Sequence, residues 1–482
     1  MIEFLLNQTP VQLDAVAPNM NVLDWLRTRN GLMGTKEGCS SGDCGACTVA
    51  VGEWMDGHIH YRTMNACLLL VGNLHGRHLI TVDTLTDAKE LTVDQLHPAQ
   101  RALAECHGTQ CGFCTPGFIM SMFVLYRNEP KYPGKKKIID ALGGNLCRCT
   151  GYRPILEACE QMYQYPRSDD PFRQAAEAFF VQRPKQTPSL KYNGQNFYLP
   201  QSLADLLVLK ARFPGARLIA GGTDLSLEFT QALKSFQVII SVIDVAEMQQ
   251  FNCTGAGITI GAATRYADFV PGFVEHYPEA AEMLHRLGSA QIRNAGTLGG
   301  SLGNASPIGD PAPLLIALNA TVVLASVNGE RSLPVEAFFL DYRKIDIQPD
   351  EVIVRVEIPP RAEQLTLACY KISKRMEDDI SAVLLAIAFE QIEGRMINVR
   401  TGFGGMAATP VRALQLEASL NGQPFTEQTL QTAAALIPAE LKPMTDVRAS
   451  RHYRLQVCQN LLQRLWLERS TDTIARVSHA AL

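Results

Sequence analysis

The chain has 482 residues, 46% hydrophobic and 19% charged, with a formal net charge of −4. That length predicts roughly three or four domains, and the composition is that of soluble globular proteins. So small a net charge gives no reason to expect nucleic acid or an anionic membrane as partner. The N-terminus, MIEFLLNQTPVQLD, has no basic region followed by a long apolar core, so no secretory signal is expected. The longest apolar stretches, such as 314–325 with Asn319 inside it, are too short to span a bilayer. A cytoplasmic location is therefore expected. There, 13 cysteines point to metal ligation rather than disulfides.

Residues 1–80 read as short strands with glycine-rich turns, and 31–45 (GLMGTKEGCSSGDCG) as a long irregular loop. From 85 to 160 the pattern changes. Apolar positions in 97–106 and 118–126 recur at helical spacing without internal Gly or Pro, which predicts a small helical bundle. Residues 164–188, rich in Pro and charge, suit a linker. Beyond it, strands are predicted at 218–220, 238–243 and 258–260 between helical stretches, and another in EVIVRVEIP (351–359). The remainder opens with strands at 366–372 and 383–390 and ends in helices, with 455–467 amphipathic.

Eight cysteines fall into two groups. Cys39, Cys44, Cys47 and Cys67 follow C-x4-C-x2-C-x19-C. Thiolates are the preferred ligands of iron in clusters, and this spacing is that of plant-type two-iron ferredoxins. Three ligands on one loop must curl around the cluster, and Gly38, Gly42 and Gly45 permit that curl. Structural zinc sites usually show two C-x2-C knuckles, unlike the unequal gaps here. Cys111, Cys114, Cys147 and Cys149 follow C-x2-C-x32-C-x-C, each pair where a helix should begin. Helix N-termini suit a negatively charged cluster. Taken alone, this second spacing also suits zinc. Cys106, Cys159, Cys253, Cys369 and Cys458 have no ligand spacing and read as buried thiols or bystanders. The run Lys135, Lys136, Lys137 reads as a solvated face.

Two glycine-bearing segments stand out after the linker. LIAGGTDLSLE (218–228) reads as strand, Gly-Gly turn and helix, and such a turn offers consecutive backbone N–H groups to a pyrophosphate. RNAGTLGGSLGNASPIGDPAP (293–313) is built of small residues that allow close backbone approach. Neither is G-x-G-x-x-G, so a Rossmann fold is not indicated. On physics alone, a Gly-Gly turn can also be no more than a turn.

The segments GFCTPG and NLCRCTGYRPI, behind a ferredoxin-like N-terminus, resemble the molybdenum hydroxylase family, which includes xanthine dehydrogenase, aldehyde oxidase and carbon monoxide dehydrogenase. AGGTDL, TLGGSLGNASPIGD, FFLDYRK, YKISKRMEDDIS and GFGGM extend the resemblance over nearly the whole chain. It implies an α+β multidomain fold. The expected parts are a β-grasp ferredoxin domain at 1–82, a helical-bundle iron–sulfur domain at 83–163 and the linker at 164–188. A two-lobed α/β FAD-binding domain at 189–361 and an α+β C-terminal flavoprotein lobe at 362–482 follow.

The cofactors implied are two 2Fe-2S clusters and FAD, with NAD⁺ as co-substrate. Carried over by position, FAD contacts fall at Leu218, Ile219, Ala220, Gly221, Gly222, Thr223, Asp224 and Leu225. Others fall at Thr297, Leu298, Gly299, Gly300, Ser301, Asp310, Ile353 and Lys371. Lys371 is expected at the ring system, where a positive charge stabilises an anionic reduced flavin. Leu287 stands where some relatives place a phenylalanine against the ring. Tyr342 corresponds to a tyrosine near the nicotinamide pocket, and Lys374 to Asp379 to a loop passing the flavin. Gln110 corresponds to a residue that contacts molybdopterin, a cofactor expected on a separate molybdenum-binding large subunit.

The expected function is electron transfer within a xanthine dehydrogenase that oxidises hypoxanthine and xanthine to urate. Electrons enter from the partner, pass the cluster of Cys111, Cys114, Cys147 and Cys149, then that of Cys39, Cys44, Cys47 and Cys67, and reach FAD and NAD⁺. No side chain of this chain is expected to act as catalyst. A heterodimer or dimer of heterodimers is expected. The alternatives are the same subunit of an aldehyde oxidase-like enzyme with another acceptor, and a flavin-free iron–sulfur carrier.

Overall fold

The protein is described by a computed structural model over residues 1–86, 92–167, 170–182, 188–376 and 378–471. It divides into two compact units: Met1–Leu206, Gly215–Val245 and Gly288–Gly296 form the first, and Leu207–Pro214, Ala246–Leu287 and Thr297–Leu482 the second. The stretch expected as one flavin domain, 189–361, is thus shared between the two units.

In the first unit, strands run in the order Thr9–Leu13, Ile2–Leu6, His78–Ile80, Thr48–Met55 and His58–Asn65. Ile2–Leu6 and His78–Ile80 pair in parallel, with Leu5 opposite His78, and the other pairs are antiparallel. Helix Val22–Arg29 covers the sheet. Asn21 caps it by accepting from the Asp24 N–H at 2.7 Å. Phe4 and Trp25 meet edge to face beneath it, ring centroids 5.3 Å apart. The core that begins at Ile2 and Phe4 continues through Leu68 and Leu70 to Phe197, Ile219 and Ile239. These last residues lie on a second sheet, ordered Ser189–Tyr192, Gln195–Tyr198, Val238–Ser241 and Arg217–Ile219. One apolar core therefore unites the ferredoxin-like sheet with the first flavin segment.

The predicted bundle is present as helices Pro98–Glu105, Thr115–Asn128, Lys135–Leu142 and Arg153–Gln161. Lys135, Lys136 and Lys137 are exposed on the third of these. The expected linker differs: Arg173–Val181 is a helix, with Ala176 and Phe180 buried beside Leu5. Its apolar face prevails over the flanking prolines and charges from which the linker was inferred.

In the second unit an antiparallel sheet runs Phe251–Thr254, Gly257–Gly261, Val352–Ile358, Thr321–Ser326 and Gly329–Pro334. A second sheet has three strands, Leu365–Ile372, Val383–Ile392 and Arg395–Gly404. The third of these is not among the predicted elements. The 455–467 prediction lies within helix Arg451–Ser470, which buries Arg454, Cys458, Leu461, Leu462 and Leu465 at helical spacing. Arg454 is 1% exposed and donates to the Gly405 carbonyl at 3.1 Å and to Asp446 at 2.7 Å. Among the described residues no helix is long and apolar enough to cross a membrane.

Burial fixes a pH dependence in the first unit. His78 is fully buried; its Nδ1 meets the Tyr61 hydroxyl at 2.7 Å and its Nε2 the Asn7 carbonyl at 2.6 Å. Desolvation pushes its pKa down from 6.5 to about 3, and that of His97 to about 4. In the folded state both rings are neutral where the unfolded chain has already bound protons. Stability is therefore full above about pH 6.5 and falls as pH drops below it. Urea unfolding midpoints should decline from about pH 7 to about pH 4.5, and decline less in His78→Gln. An unchanged slope in that variant would assign the loss to other groups.

Candidate electron-transfer site

The loop carrying Cys39, Cys44 and Cys47 joins helix Val22–Arg29 to strand Thr48–Met55, and Cys67 follows strand His58–Asn65. The sheet pairs Thr48 with Asn65 and so brings Cys47 beside Cys67, with their sulfurs 3.4 Å apart. Cys39 and Cys44 form the other pair, each thiol strongly perturbing the ionisation of the other. The curl of the loop turns the N–H groups of Ser41, Asp43 and Cys44 onto the Cys39 sulfur at 3.4, 3.3 and 3.4 Å. The interaction with Cys44, helped by Ser41 and the Cys44 N–H, draws the Cys39 thiol down to about 4 against its burial, while Cys44 is pushed up. Cys47 is lowered by its bond with Cys67, although nearly complete burial opposes it.

The second group is built on helix starts, as the sequence predicts. Cys114 is the N-cap of helix Thr115–Asn128, and Cys147 and Cys149 precede helix Arg153–Gln161. Cys111 and Cys149 face each other at 3.6 Å, and Cys114 pairs with Cys147. Burial opposes ionisation of Cys147, yet the Thr150 hydroxyl, at 3.2 Å, and the Thr150 N–H bring its pKa below the ordinary value.

Both groups thus present thiols as two facing pairs. A two-iron cluster uses two ligands on each iron, whereas structural zinc needs four about one point. Among the described residues no three Cys, His, Asp or Glu side chains are arranged to hold a single ion. Paired thiols with N–H groups already aimed at sulfur fit a two-iron cluster in each group.

The two groups touch through backbone. The Leu146 N–H, next to Cys147, donates to the Cys44 carbonyl at 3.0 Å. A Cβ on Gly45 would lie 2.2 Å from the Gly144 carbonyl oxygen, and one on Gly117 would lie 2.2 Å from the Gly45 carbonyl oxygen. Gly45 also has φ +68, a conformation glycine adopts freely. Asn145 binds the junction, donating to the Gly45 carbonyl at 3.0 Å and accepting from Ser121 at 2.7 Å. Gln291 donates to Asn145 at 3.2 Å and to Thr48 at 3.1 Å. Asn145 and Gln291 are 2% and 1% exposed, and neither is among the residues predicted to form the site.

Flavin segments occur in each unit. In the first, Leu218 and Ile219 end strand Arg217–Ile219; Ala220, Gly221, Gly222, Thr223, Asp224 and Leu225 then turn into helix Ser226–Thr230. A Cβ on Gly221 would lie 1.8 Å from the Ala295 carbonyl oxygen, and Gly222 has φ +73. The turn is therefore bare backbone, with Asp224 exposed, and fits a diphosphate that needs close N–H approach.

In the second unit, Thr297 caps helix Leu298–Asn304 by accepting from the Gly300 N–H at 3.1 Å. Leu298 and Gly299 are buried, with Gly299 against the Ala262 backbone, while Gly300 is exposed and Ser301 half-buried. Ile353 is buried in Val352–Ile358, and Leu287 is half-buried. Lys371 is 5% exposed, which excludes a solvated surface lysine. Its Nζ meets Asp310 at 2.7 Å and the Arg286 carbonyl at 2.8 Å, and Asp310 also accepts from Ser381 at 2.5 Å. Expected as a charge for the flavin ring, Lys371 is here ion-paired with another expected flavin residue. Tyr342 is 54% exposed on the turn between Phe339–Asp341 and Lys344–Ile345, and is no core residue. Gln110 is exposed beside exposed Cys111. The 374–379 run is exposed at Arg375 and Met376, and its Glu377 lies outside the described residues.

The sequence matches four family models. These are a 2Fe-2S iron–sulfur cluster binding domain (4–71), a [2Fe-2S] binding domain (81–160), the FAD binding domain in molybdopterin dehydrogenase (190–361) and the CO dehydrogenase flavoprotein C-terminal domain (368–469). A xanthine dehydrogenase/oxidase of Gallus gallus is 33% identical over 91% of this chain and 38% of its own length. An aldehyde oxidase 1 of Rattus norvegicus is 31% identical over 91% of this chain and 37% of its own. The chain thus spans well under half of these relatives. Among solved structures, a carbon monoxide dehydrogenase of Hydrogenophaga pseudoflava has TM-score 0.53 and 26% identity, over 56% of this chain and 94% of that one. A quinoline 2-oxidoreductase of Pseudomonas putida 86 has TM-score 0.53 and 28% identity, over 58% and 97%.

Substitutions at the glycine contact and at the buried ion pair probe these sites. Gly45→Ala drives a methyl group into the Gly144 carbonyl, so EPR of the reduced protein should show the signals of both groups perturbed together. Loss of the first alone would mean that the junction does not bind the groups to each other. Lys371→Met strands Asp310 in a buried site and should cost about 3–5 kcal/mol in urea unfolding of the second unit. Adding Asp310→Asn should recover part of that loss, and no recovery would deny the pair its role.

Proposed function

We propose, for a chain that belongs to the molybdenum hydroxylase family as its iron–sulfur and FAD portion, the role of electron-transfer subunit in a xanthine dehydrogenase. Two 2Fe-2S clusters and FAD would supply one-electron transport and hydride donation. In this reading the chain receives electrons from a molybdopterin centre on a large partner subunit and delivers them to NAD⁺, as hypoxanthine or xanthine becomes urate. The observation that carries it is the presence of both cysteine groups and both flavin segments in one continuous chain that is 33% identical to a xanthine dehydrogenase/oxidase over 91% of its sequence. The solved carbon monoxide dehydrogenase chain answers to 56% of this one. In that structure and in the quinoline oxidoreductase the matched part is a chain of its own, which supports a molybdenum site on a separate polypeptide.

The chain's own residues hold and tune. Cys111, Cys114, Cys147 and Cys149 hold the entry cluster, and exposed Gln110 lies on the side where the partner's pterin is proposed to approach. Cys39, Cys44, Cys47 and Cys67 hold the second cluster, with the Ser41, Asp43 and Cys44 N–H groups favouring the reduced, more negative form. In the first unit the 218–225 turn offers backbone N–H groups to phosphate oxygens; in the second, Thr297, Leu298, Gly299, Gly300 and Ser301 are the proposed flavin contacts. Exposed Tyr342 is the proposed nicotinamide contact. A cytoplasmic heterodimer, or a dimer of such heterodimers, completes the proposal.

A second reading has its own support, since the rat aldehyde oxidase aligns over the same share of the chain. The complex with its molybdenum partner, given xanthine and NAD⁺, should form NADH. Xanthine oxidation with oxygen or a dye but never NAD⁺ would favour the aldehyde oxidase-like acceptor, and no turnover of any purine would refute the xanthine dehydrogenase reading.

A further inference from the structure

Helix Ser226–Thr230 follows the Gly221–Gly222 turn directly, and Ser226, Thr230 and its C-cap residue Gln231 project toward the first cysteine group. Ser226 Oγ, wholly buried, donates to the Leu68 carbonyl at 2.7 Å, one residue beyond Cys67. Thr230 Oγ1 donates to the Ser40 carbonyl at 2.7 Å, one residue beyond Cys39. Gln231 Nε2 donates to the carbonyls of Cys39 itself and of Ser40, both at 3.1 Å. From the other side, Asn73 Nδ2 donates to the Ala220 carbonyl at 3.2 Å, just before the turn. A Cβ on Gly222 would approach the Leu68 carbonyl oxygen to 2.9 Å, so the turn itself rests on the same segment.

The pattern is selective. The thiols face as Cys39 with Cys44 and Cys47 with Cys67, and the helix braces one cysteine segment from each pair. A side-chain donor on a carbonyl draws negative charge away from the neighbourhood of a thiolate, which favours the more negative, reduced state of whatever that thiolate binds. None of these bonds touches Cys111, Cys114, Cys147 or Cys149.

We propose that Ser226, Thr230 and Gln231 are positioning residues that couple occupancy of the 218–225 turn to the redox poise of the first cysteine group. The proposal rests on the reading that this turn holds part of FAD. A ligand that fixes the turn fixes the helix behind it, and the helix fixes the donors on Cys39, Ser40 and Leu68. Coupling of this kind is reciprocal, so weakening the donors must also weaken retention of the ligand.

The test uses the full chain, purified with iron–sulfur clusters and flavin in place. Thr230→Val/Gln231→Leu removes two of the three donors at half-buried or exposed positions, leaving the buried Ser226 intact. EPR-monitored redox titration should show the midpoint of the first cluster displaced to more negative potential and that of the second unmoved. Flavin should dissociate about threefold to tenfold faster, the scale of one or two lost hydrogen bonds. Stripping flavin from the unaltered chain should move the same midpoint in the same direction. Thr223→Pro, which removes a backbone N–H from the partly exposed turn, tests the underlying reading by flavin content and affinity. If it loses flavin while the first cluster's midpoint in Thr230→Val/Gln231→Leu and in the stripped chain stays where it is in the unaltered, flavin-bearing chain, the coupling is refuted and the reading stands. If it binds flavin as the unaltered chain does, the reading fails and the coupling fails with it.

Discussion

The first unit depends on a contact too close for three of its residues to carry side chains. A Cβ on Gly45 would overlap the Gly144 carbonyl, one on Gly117 the Gly45 carbonyl, and one on Gly144 the side chains of Gln291 and Ser289. One segment follows Cys44, one follows Cys114 and one leads to Cys147. The shared contact leaves the two cysteine groups little freedom to drift apart. Asn145 binds two of the segments to each other, and Gln291 secures Asn145. Buried amides of this kind stabilise only when satisfied. Both of them donate to Thr48, beside Cys47 in sequence, while Gln291 Oε1 is left without a hydrogen-bond partner. The Leu146 N–H on the Cys44 carbonyl makes this mechanical joint a short bonded connection between ligand-bearing segments as well.

The flavin portion obeys a different constraint. Its first segment shares a core with the ferredoxin-like sheet, through Phe197, Ile219 and Ile239. Its later segments, in the second unit, are organised around the buried Lys371–Asp310 pair. A buried pair is weak evidence of net stability, but breaking it is costly, so it fixes how Asp310 and Lys371 lie relative to each other. The consequence for function is electrostatic. Lys371 carries a charge that Asp310 already balances, so at the proposed flavin site it would orient and donate rather than supply a bare positive charge.

Much of this was legible in the residues. The ligand spacings, the helix starts behind the second group and the strand, Gly-Gly turn and helix at 217–230 are local patterns, and the chain adopts each of them. What escaped depends on distant partners. Strand Arg395–Gly404 ends in glycines that weaken its local signal, yet Gly402 is needed because the Pro313 carbonyl lies where its Cβ would be. Helix Arg173–Val181 hides between Pro and charged residues and is held by a few contacts, among them Phe180 on Trp54. Asn145 sits inside a motif whose cysteines draw the eye. Its role appears only when Gly45, 100 positions earlier, and Gln291, 146 positions later, come to meet it.

The central claim is that two joined groups of paired thiols hold two two-iron clusters. Iron, sulfide and zinc analysis of the purified full chain, with EPR on the reduced protein, tests it most directly. The account predicts about four iron and four sulfide per chain, no zinc, and two distinct rhombic signals. Stoichiometric zinc, or about two iron with a single signal, would contradict it.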